Sequence, residues 1–170
     1  MLKDKSNIVL IGMPGSGKST VGIILAKMTA RNFIDTDILI QLREERPLQD
    51  IVNTDGPMTL RKVEEEVLLT VACRNHVIAT GGSAAYSHAA MSHLKKDGIV
   101  IFLHAELETL KARIHNYETR GLAKRPEQSF ADLFDERRAL YQQYADIIIE
   151  SDDLTQERVC LDIMHALGRR

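Results

Sequence analysis

The chain of 170 residues is poor in several residue types, and each shortage excludes a class of protein. Its two cysteines, Cys73 and Cys160, are too few and too far apart for a disulfide framework, which favours buried free thiols in a reducing compartment. No apolar run approaches the roughly 18 residues of a membrane span. The first five residues, MLKDK, lack the apolar stretch of a signal peptide. We therefore expect a cytoplasmic protein without a membrane partner.

The chain also lacks an excess of charge of either sign, with 22 basic against 24 acidic residues and a net charge of −2. Nucleic-acid-binding proteins concentrate positive charge on one surface, so we expect no nucleic-acid partner. Tryptophan is absent, but hydrophobic residues make up 44% of the chain. This content and length suit a single domain, residues 1–170, with its own core. We expect a monomer whose partners are small molecules.

What the chain does contain is a complete phosphate-binding loop, GMPGSGKS, at residues 12–19. The apolar run before it predicts a buried strand, and apolar residues at helical spacing after it predict a helix. In such a loop, backbone N–H groups turn inward and the helix N-terminus adds partial positive charge. Lys18 can reach the β- and γ-phosphates of a nucleotide, and the Ser19 hydroxyl can hold Mg²⁺. The predicted nucleotide-binding residues here are Gly15, Ser16, Gly17, Lys18, Ser19 and Thr20.

Strand-like runs alternate with amphipathic helices along the chain, which predicts an α/β fold with a parallel sheet. Ligands of such sheets bind beyond the carboxyl ends of the strands. Asp35 and Asp37 follow the second predicted strand, and Gly81 and Gly82 follow the third. An Asp-x-Asp pair is also compatible with Asp37 capping a helix. Beside a phosphate loop, we interpret the pair as one carboxylate near Mg²⁺ and one that accepts a substrate hydroxyl proton.

Three further features allow both a structural and a functional interpretation. Arg61 and Glu64 lie three residues apart on a predicted helix, either as a surface ion pair or as a substrate-binding arginine held by a glutamate. The glycine pair is either a turn or a place where backbone N–H groups touch a small ligand. In the segment 115–128, apolar periodicity fades while basic residues accumulate. We predict a mobile loop there, either a merely solvated one or one that supplies the positive charge that phosphoryl transfer needs around the γ-phosphate.

Together these residues resemble the shikimate kinase family, a branch of the small P-loop kinases, from Ile8 to about Leu167. The resemblance implies a three-layer P-loop NTPase fold with a five-stranded parallel sheet of order 2-3-1-4-5. It also implies a substrate-binding region at about 37–65 and an arginine-bearing lid at about 115–128. The motifs that carry it are the phosphate loop, FIDTD at 33–37, TDG at 54–56 with LRKVE at 60–64, TGG at 80–82, Arg137 before ALY at 139–141, and YADI at 144–147.

The same resemblance implies that ATP and Mg²⁺ are used to phosphorylate a small hydroxy acid, in the first place shikimate at its 3-hydroxyl, in aromatic amino acid biosynthesis. Arg113 matches a family arginine beside the adenine, and Arg120 matches the lid arginine that reaches the phosphates. Arg61 and Arg137 would pair with the acceptor's carboxylate. The implied catalytic residues are Lys18, Asp35, Asp37 and Arg120; the metal-binding residues are Ser19 and Asp35; and the acceptor-binding residues are Asp37, Arg61, Gly81, Gly82 and Arg137.

Two departures from the family pattern leave alternatives open. Ser83 stands where the family has a third glycine, and the lid signature Arg-Pro-Leu-Leu is replaced by RGLA at 120–123. The spacing from Arg113 favours Arg120 as the lid arginine, whereas the Arg-Pro pair at 125–126 favours Arg125; we predict Arg120. Another small hydroxylated acceptor is the alternative to shikimate. A nucleotide-dependent switch protein is a third hypothesis, which the lack of a guanine-reading Asn-Lys-x-Asp motif disfavours.

Overall fold

The computed structural model describes residues 5–114 and 122–168, and a parallel sheet lies at its centre. The strands of this sheet are β1 (Asn7–Ile11), β2 (Asn32–Asp35), β3 (His76–Ala79), β4 (Gly98–His104) and β5 (Ile147–Glu150). Every neighbouring pair is parallel, and the order across the sheet is β2-β3-β1-β4-β5. The predicted fold class and strand order are therefore confirmed.

The described residues also form eight α-helices and a short 3-10 turn. The helices are α1 (Lys18–Thr29), α2 (Thr36–Glu44), α3 (Leu48–Asp55), α4 (Pro57–Thr70), α5 (His88–Lys95), α6 (Leu107–Arg113), α7 (Phe130–Tyr144) and α8 (Gln156–Ala166). The 3-10 turn, Ala84–Tyr86, connects the end of β3 to α5. None of these helices is both long and apolar enough to cross a bilayer.

Helices cover both faces of the sheet because the central strand is apolar on both sides. Ile8 and Leu10 of β1 point into a cluster with residues of α1 and α8, and Val9 and Ile11 point into the opposite cluster with residues of α5 and α7. All four side chains are at most 1% exposed. Full burial of such a side chain contributes roughly 1.5–3 kcal/mol. The strand therefore anchors a three-layer core.

A third, smaller cluster holds α2, α3 and α4 together beside the sheet. Its buried members are Ile40, Ile51, Leu60, Val63, Val67 and Ala123. Five of them belong to the three helices, and the sixth comes from the segment that precedes α7. The region 37–65, predicted to bind substrate, is therefore packed around its own apolar cluster and is joined there to the end of the predicted lid.

Local sequence signals explain where several helices begin. Pro57 occupies the first turn of α4, where its missing N–H would have no partner anyway. Pro47 is the N-cap of α3. The cap of α2 is Asp35 rather than Asp37: the Asp35 side chain accepts a hydrogen bond from the Asp37 backbone N–H at 3.0 Å. The capping alternative considered for Asp37 is therefore wrong, since the cap lies two residues earlier, at Asp35.

The parallel strands bring the marked residues to one edge of the sheet. In the strand register, Ala79 lies opposite Leu10 of β1 on one side and opposite Asp35 of β2 on the other. The phosphate loop follows β1, and Gly81 follows β3 two residues after Ala79. The backbone N–H of Gly81 donates to the Thr36 hydroxyl at 3.2 Å, and this hydrogen bond connects the ends of β3 and β2.

Candidate active site

The phosphate loop curls around its own lysine. Gly17 caps α1 in the left-handed region, with φ of 94°, a conformation that glycine adopts without steric cost. The Lys18 ammonium donates to the carbonyl oxygens of Gly12 and Met13 at 2.8 and 2.9 Å. Lys18 is 8% exposed and lines a polar cavity beside the loop, here called the main cavity. A buried positive charge thus lies at the centre of the loop, where phosphate oxygens are expected.

The main cavity encloses about 260 Å³ and brings most of the predicted residues together. Of the nucleotide-binding set it includes Gly15, Gly17, Lys18, Ser19, Thr20 and Arg113. Of the acceptor-binding set it includes Asp37, Gly81, Gly82 and Arg137. Ser16 lines an adjoining cavity of about 130 Å³, which extends from the loop toward Ser151 and α8. Two neighbouring compartments therefore meet at the phosphate loop.

Ser19 and Asp35 contact each other at the junction of α1 and β2. The Ser19 hydroxyl donates to Asp35 Oδ2 at 2.6 Å, and the other carboxylate oxygen, Oδ1, caps α2. A hydroxyl and a carboxylate oxygen are hard oxygen ligands of the kind that Mg²⁺ prefers. The donor set next to the phosphate loop therefore fits a magnesium ion, which in such sites takes its remaining ligands from phosphates and water.

A second pair of acidic side chains, Asp37 and Glu64, approaches the Gly81 backbone. A methyl group added to Gly81 would lie 2.7 Å from Asp37 Oδ1 and closer still to Glu64 Oε1, so the carboxylates can converge only because this residue has no side chain. Glu64 is 3% exposed and accepts a hydrogen bond from the Ser83 hydroxyl through Oε2. Burial and the neighbouring Asp37 raise the pKa of Glu64 to about 7. Its carboxyl therefore titrates near neutral pH.

Two arginines donate to a single backbone oxygen. Arg137 is 1% exposed, and its Nη2 donates to the Ala123 carbonyl at 2.9 Å; Arg61 Nη2 donates to the same oxygen at 3.3 Å. The Nε atoms of both arginines are buried without a hydrogen-bond partner among the described residues. Gly82 borders this pair, since a methyl group there would lie 2.6 Å from Arg137 Nη1. Two guanidinium groups with unused donors form a site suited to a carboxylate.

Arg61 is not held by Glu64, so that interpretation of the sequence is wrong. Its guanidinium carbon lies 3.6 Å from the centre of the Tyr86 ring, while the Glu64 carboxyl is bound by Ser83. Burial lowers the pKa of Arg61, but an arginine remains protonated at neutral pH. Arg61 lines a neighbouring groove rather than the main cavity, and it contacts the cavity wall through the Ala123 carbonyl.

The predicted adenine-side and lid residues are only partly described. Arg113, at the end of α6, donates through Nη2 to the Ser151 carbonyl at 2.9 Å and lines both compartments. Arg120 lies outside the described residues, together with the rest of 115–121. Arg125 is exposed and forms an ion pair with Glu136 at 3.2 Å, and it does not line the main cavity.

Sequence reasoning missed two tyrosines that shape the acceptor side. Tyr141 is fully buried, and its hydroxyl donates to the Gly82 carbonyl at 2.5 Å, which fixes the turn after β3. Burial raises the pKa of this hydroxyl, so it remains a donor. The ALY motif already contained Tyr141, so its place in the motif was the available signal. Tyr86 lies in a segment with no motif, and nothing in the sequence singled it out.

The parallel sheet of this order, with a phosphate loop after its central strand and a polar cavity beside it, defines a small P-loop kinase. A comparison with known families then gives the particular one: the family described as shikimate kinase matches residues 14–168. The chain therefore belongs to the shikimate kinase family, whose members are phosphotransferases that use ATP and a hydroxyl acceptor. This confirms the resemblance seen in the motifs.

Individual relatives agree with this assignment. The chain is 38% identical over 164 residues to a shikimate kinase of Rippkaea orientalis, with 95% of this chain and 87% of the relative covered. Among solved structures, the shikimate kinase from Acinetobacter baumannii in complex with shikimate has a TM-score of 0.87 at 30% identity, covering 96% of this chain and 93% of that one. The Aquifex aeolicus shikimate kinase has a TM-score of 0.82 at 34% identity, with 95% and 96% covered.

Proposed function

We propose that the protein transfers the γ-phosphoryl group of ATP to the 3-hydroxyl of shikimate. The observation that carries this proposal is the convergence of Arg61 and Arg137 on one carbonyl oxygen, with Arg137 in the same cavity as Lys18. A phosphate-binding lysine and a paired-arginine site in adjoining positions suit an acceptor that has both a carboxylate and a hydroxyl. The family and its solved shikimate complex support the same acceptor.

The nucleotide side of the proposed reaction works by position and charge. Backbone N–H groups of the loop 12–19 bind the phosphates, and Lys18 stabilises the charge that develops on the transferred group. The compartment beside Arg113 and Ser151 suits the adenine, since it adjoins the loop and is closed on one side by apolar residues of α1 and α8. Arg120 is proposed as a further positive charge at the phosphates.

Ser19 and Asp35 are proposed to hold Mg²⁺. When bound, the ion neutralises phosphate charge and orients the transferred group. The protein's own contribution is a carboxylate that two hydrogen bonds fix in place, one from Ser19 and one from the α2 backbone. Asp35→Asn is therefore expected to raise the Mg²⁺ concentration needed for half-maximal rate. Asp37→Asn should instead leave that concentration close to wild type, and coincident Mg²⁺ curves for the two variants would contradict this division of roles.

The acceptor side of the cavity orients the hydroxy acid. Arg61 and Arg137 bind the carboxylate with the fork geometry that guanidinium groups provide. Asp37 accepts the proton of the reacting hydroxyl, and its neighbour Glu64 lies close enough to respond to that proton. Gly81 and Gly82 leave room for the ring of the acceptor against the backbone. Asp37 and the two arginines thus fix opposite ends of one small molecule.

The test of the proposed function is an acceptor panel with ATP and Mg²⁺, read out as ADP release and as phosphorylated product. Shikimate, quinate, gluconate and shikimate methyl ester form the panel, so that carboxylate, ring and hydroxyl pattern vary separately. We expect shikimate to give the highest kcat/KM and the methyl ester to lose most of it. If gluconate or quinate is phosphorylated faster, Ser83 and the altered lid mark a kinase of another hydroxy acid.

Several properties stay predictions from the sequence. These are that residues 1–170 act as one kinase domain with a lid at about 115–128, that the protein is a monomer without nucleic-acid or membrane partners, and that it works in the cytoplasm.

A further inference from the structure

The unusual feature of the acceptor side is the partner that Arg61 has found. In place of a carboxylate, its guanidinium group lies flat enough on Tyr86 for the central carbon to be 3.6 Å from the ring centre. The only acidic side chain three residues away on α4, Glu64, is engaged by Ser83. A cation over an aromatic face is attracted by the ring quadrupole, most strongly where the contact is shielded from water. Tyr86 is half-buried, so this contact is partly shielded from water.

The partner of Arg61 matters because a carboxylate and an aromatic ring contact different parts of a guanidinium group. A carboxylate pairs with the N–H edge, where it occupies two of the five donors in a fixed fork. A ring takes the face of the group and leaves the edge free. In Arg61, one edge atom donates to the Ala123 carbonyl, and Nε is buried without a partner in the described part of the chain. The edge therefore remains able to bind an anion.

The ring itself is fixed from the opposite side of the site. The Tyr86 hydroxyl donates to Glu136 Oε1 on α7, next to Arg137. Glu136 also accepts from Gln128 at 2.9 Å and from Arg125 at 3.2 Å through Oε2. Burial and the bond to Glu136 raise the pKa of Tyr86, so its hydroxyl stays protonated and continues to donate. The ring cannot rotate away from Arg61 without breaking this bond.

Arg61 and Arg137 both lie beside the Tyr86 ring and the Ala123 carbonyl. The guanidinium carbon of Arg137 lies 5.6 Å from the centre of the same ring, and both arginines donate to the Ala123 oxygen. The two Nη2 atoms lie 2.9 and 3.3 Å from one oxygen and are therefore at most 6.2 Å apart, a distance that one carboxylate can bridge. The Ala123 carbonyl thus marks a position where an anionic oxygen would find both groups.

We infer that Tyr86 is a positioning residue for the acceptor's carboxylate: its ring holds the face of Arg61 so that the guanidinium edge points with Arg137 toward a single anion. The inference rests on the proposed function, since it assumes an acceptor with a carboxylate. It assigns Tyr86 no contact with the reacting hydroxyl or with the nucleotide. Its loss is therefore expected in acceptor affinity and not in phosphoryl transfer.

Tyr86→Leu and Tyr86→Phe test this inference, with Tyr144→Leu as the matched control. Tyr144 is also a half-buried tyrosine, but it packs against the core cluster of α5 and α7 at the far end of α7, and its hydroxyl contacts His88. The measurements are KM and kcat for shikimate, KM for ATP, and the calorimetric affinity for shikimate and its methyl ester. We expect Tyr86→Leu to raise the shikimate KM roughly 3- to 20-fold, in line with a partly buried cation–π contact, and to leave kcat and the ATP KM within about twofold.

The ester sharpens the result, because it lacks the charge that the arginines bind. Tyr86→Leu should reduce the preference for shikimate over the ester, whereas Tyr86→Phe should retain most of it, since the ring remains. A wild-type shikimate affinity and ester preference in a folded Tyr86→Leu protein would overturn the inference. If Tyr86→Leu does not fold, Tyr86→Phe and Glu136→Gln decide: we expect each to raise the shikimate KM about twofold with kcat unchanged, and a fall in kcat alone would overturn the inference.

Failure of the proposed function gives a different pattern. In that case the wild-type protein neither binds nor phosphorylates shikimate, and the inference about Tyr86 falls with it. If the wild-type protein phosphorylates shikimate and the Tyr86 variants have the same shikimate KM as wild type, the function stands and the positioning role is wrong.

Discussion

The phosphate side and the acceptor side of the cavity are built by opposite means. The phosphate side is one continuous stretch, residues 12–20, whose main-chain groups are proposed to do most of the binding and whose lysine folds back onto its own loop. The acceptor side is assembled from side chains of α2, α4, α7 and the turn after β3, which are far apart in sequence. The phosphate side therefore depends on local conformation, whereas the acceptor side depends on tertiary packing of buried charges.

This difference has a consequence for substitutions. On the phosphate side, a change should affect the chemical step with little change in acceptor affinity. On the acceptor side, a change should alter acceptor KM, pH dependence or stability, because charged groups there are held by one another. Four variants test this contrast, taken in order of decreasing expected effect.

The largest effect is expected from Lys18→Ala. Removing this ammonium group takes away charge stabilisation in the transition state, about 3 kcal/mol or more, which corresponds to at least a hundredfold loss of kcat. Unfolding temperature and kcat are measured together, with Lys27→Ala on the exposed side of the same helix as the control. A Lys18→Ala protein that keeps more than a tenth of the wild-type rate would contradict the phosphate-side assignment.

Arg137→Lys should have the next largest effect, and it should fall on the acceptor. Lysine keeps the charge but loses the fork that reaches both Gly82 and the Ala123 carbonyl. We expect the shikimate KM to rise by a factor equivalent to about 1–3 kcal/mol, the scale of a hydrogen bond to a charged group. Arg138→Lys, which changes an arginine lying over the Phe134 ring, is the matched control. An increase confined to the ATP KM would mean that the acceptor site is misplaced.

Glu64→Gln should change how stability depends on pH. The folded-state pKa of Glu64 is raised from 4.5 to about 7, so the unfolded chain releases this proton at lower pH. The contribution of Glu64 to the free energy of unfolding therefore falls as pH rises from about 4.5 to 7. The variant should gain about 1–3 kcal/mol relative to wild type between pH 5 and pH 8. Urea unfolding at four pH values, with Glu65→Gln as control, checks this; parallel wild-type and variant curves would contradict it.

The smallest effect is expected from Arg125→Ala. Arg125 is exposed, and its ion pair with Glu136 is of the surface type that contributes at most about 1 kcal/mol. The variant should retain kcat within about threefold, whereas Arg120→Ala should lose considerably more. The two variants are compared at saturating shikimate, so that only the phosphate side limits the rate. A larger loss from Arg125→Ala would transfer the lid role to that residue.

The sequence predicted the phosphate side well because its signals are consecutive. A strand, a glycine-rich loop and a helix in series leave little freedom, and the aspartates after β2 follow from the same rule about strand ends. The strand order came from the family resemblance and not from periodicity. The structure places the cap of α2 at Asp35 and not at Asp37, because the helix begins at Thr36, directly after β2.

The sequence predicted which residues lie on the acceptor side, but it did not predict which of them contact one another. The contact between Arg61 and Ala123 spans 62 positions, and the one between Glu64 and Ser83 spans 19. Helical spacing suggested Glu64, on the same helix face, as a partner for Arg61, but tertiary packing supplied a ring from another element. The partner that a buried group finds depends on which other buried groups compete for it, and no local sequence pattern contains that information.

The use of a main-chain oxygen at Ala123 places an unusual constraint on how this protein can diverge. Because a carbonyl is present whatever residue occupies the position, selection on this contact does not act through the identity of a side chain. It acts through the number of residues that separate this oxygen from Arg137, fourteen along the chain. Insertions and deletions between them would move the oxygen relative to both guanidinium groups, while most substitutions there would not. The length of this segment, rather than its amino-acid sequence, is therefore the property that preserves this part of the site.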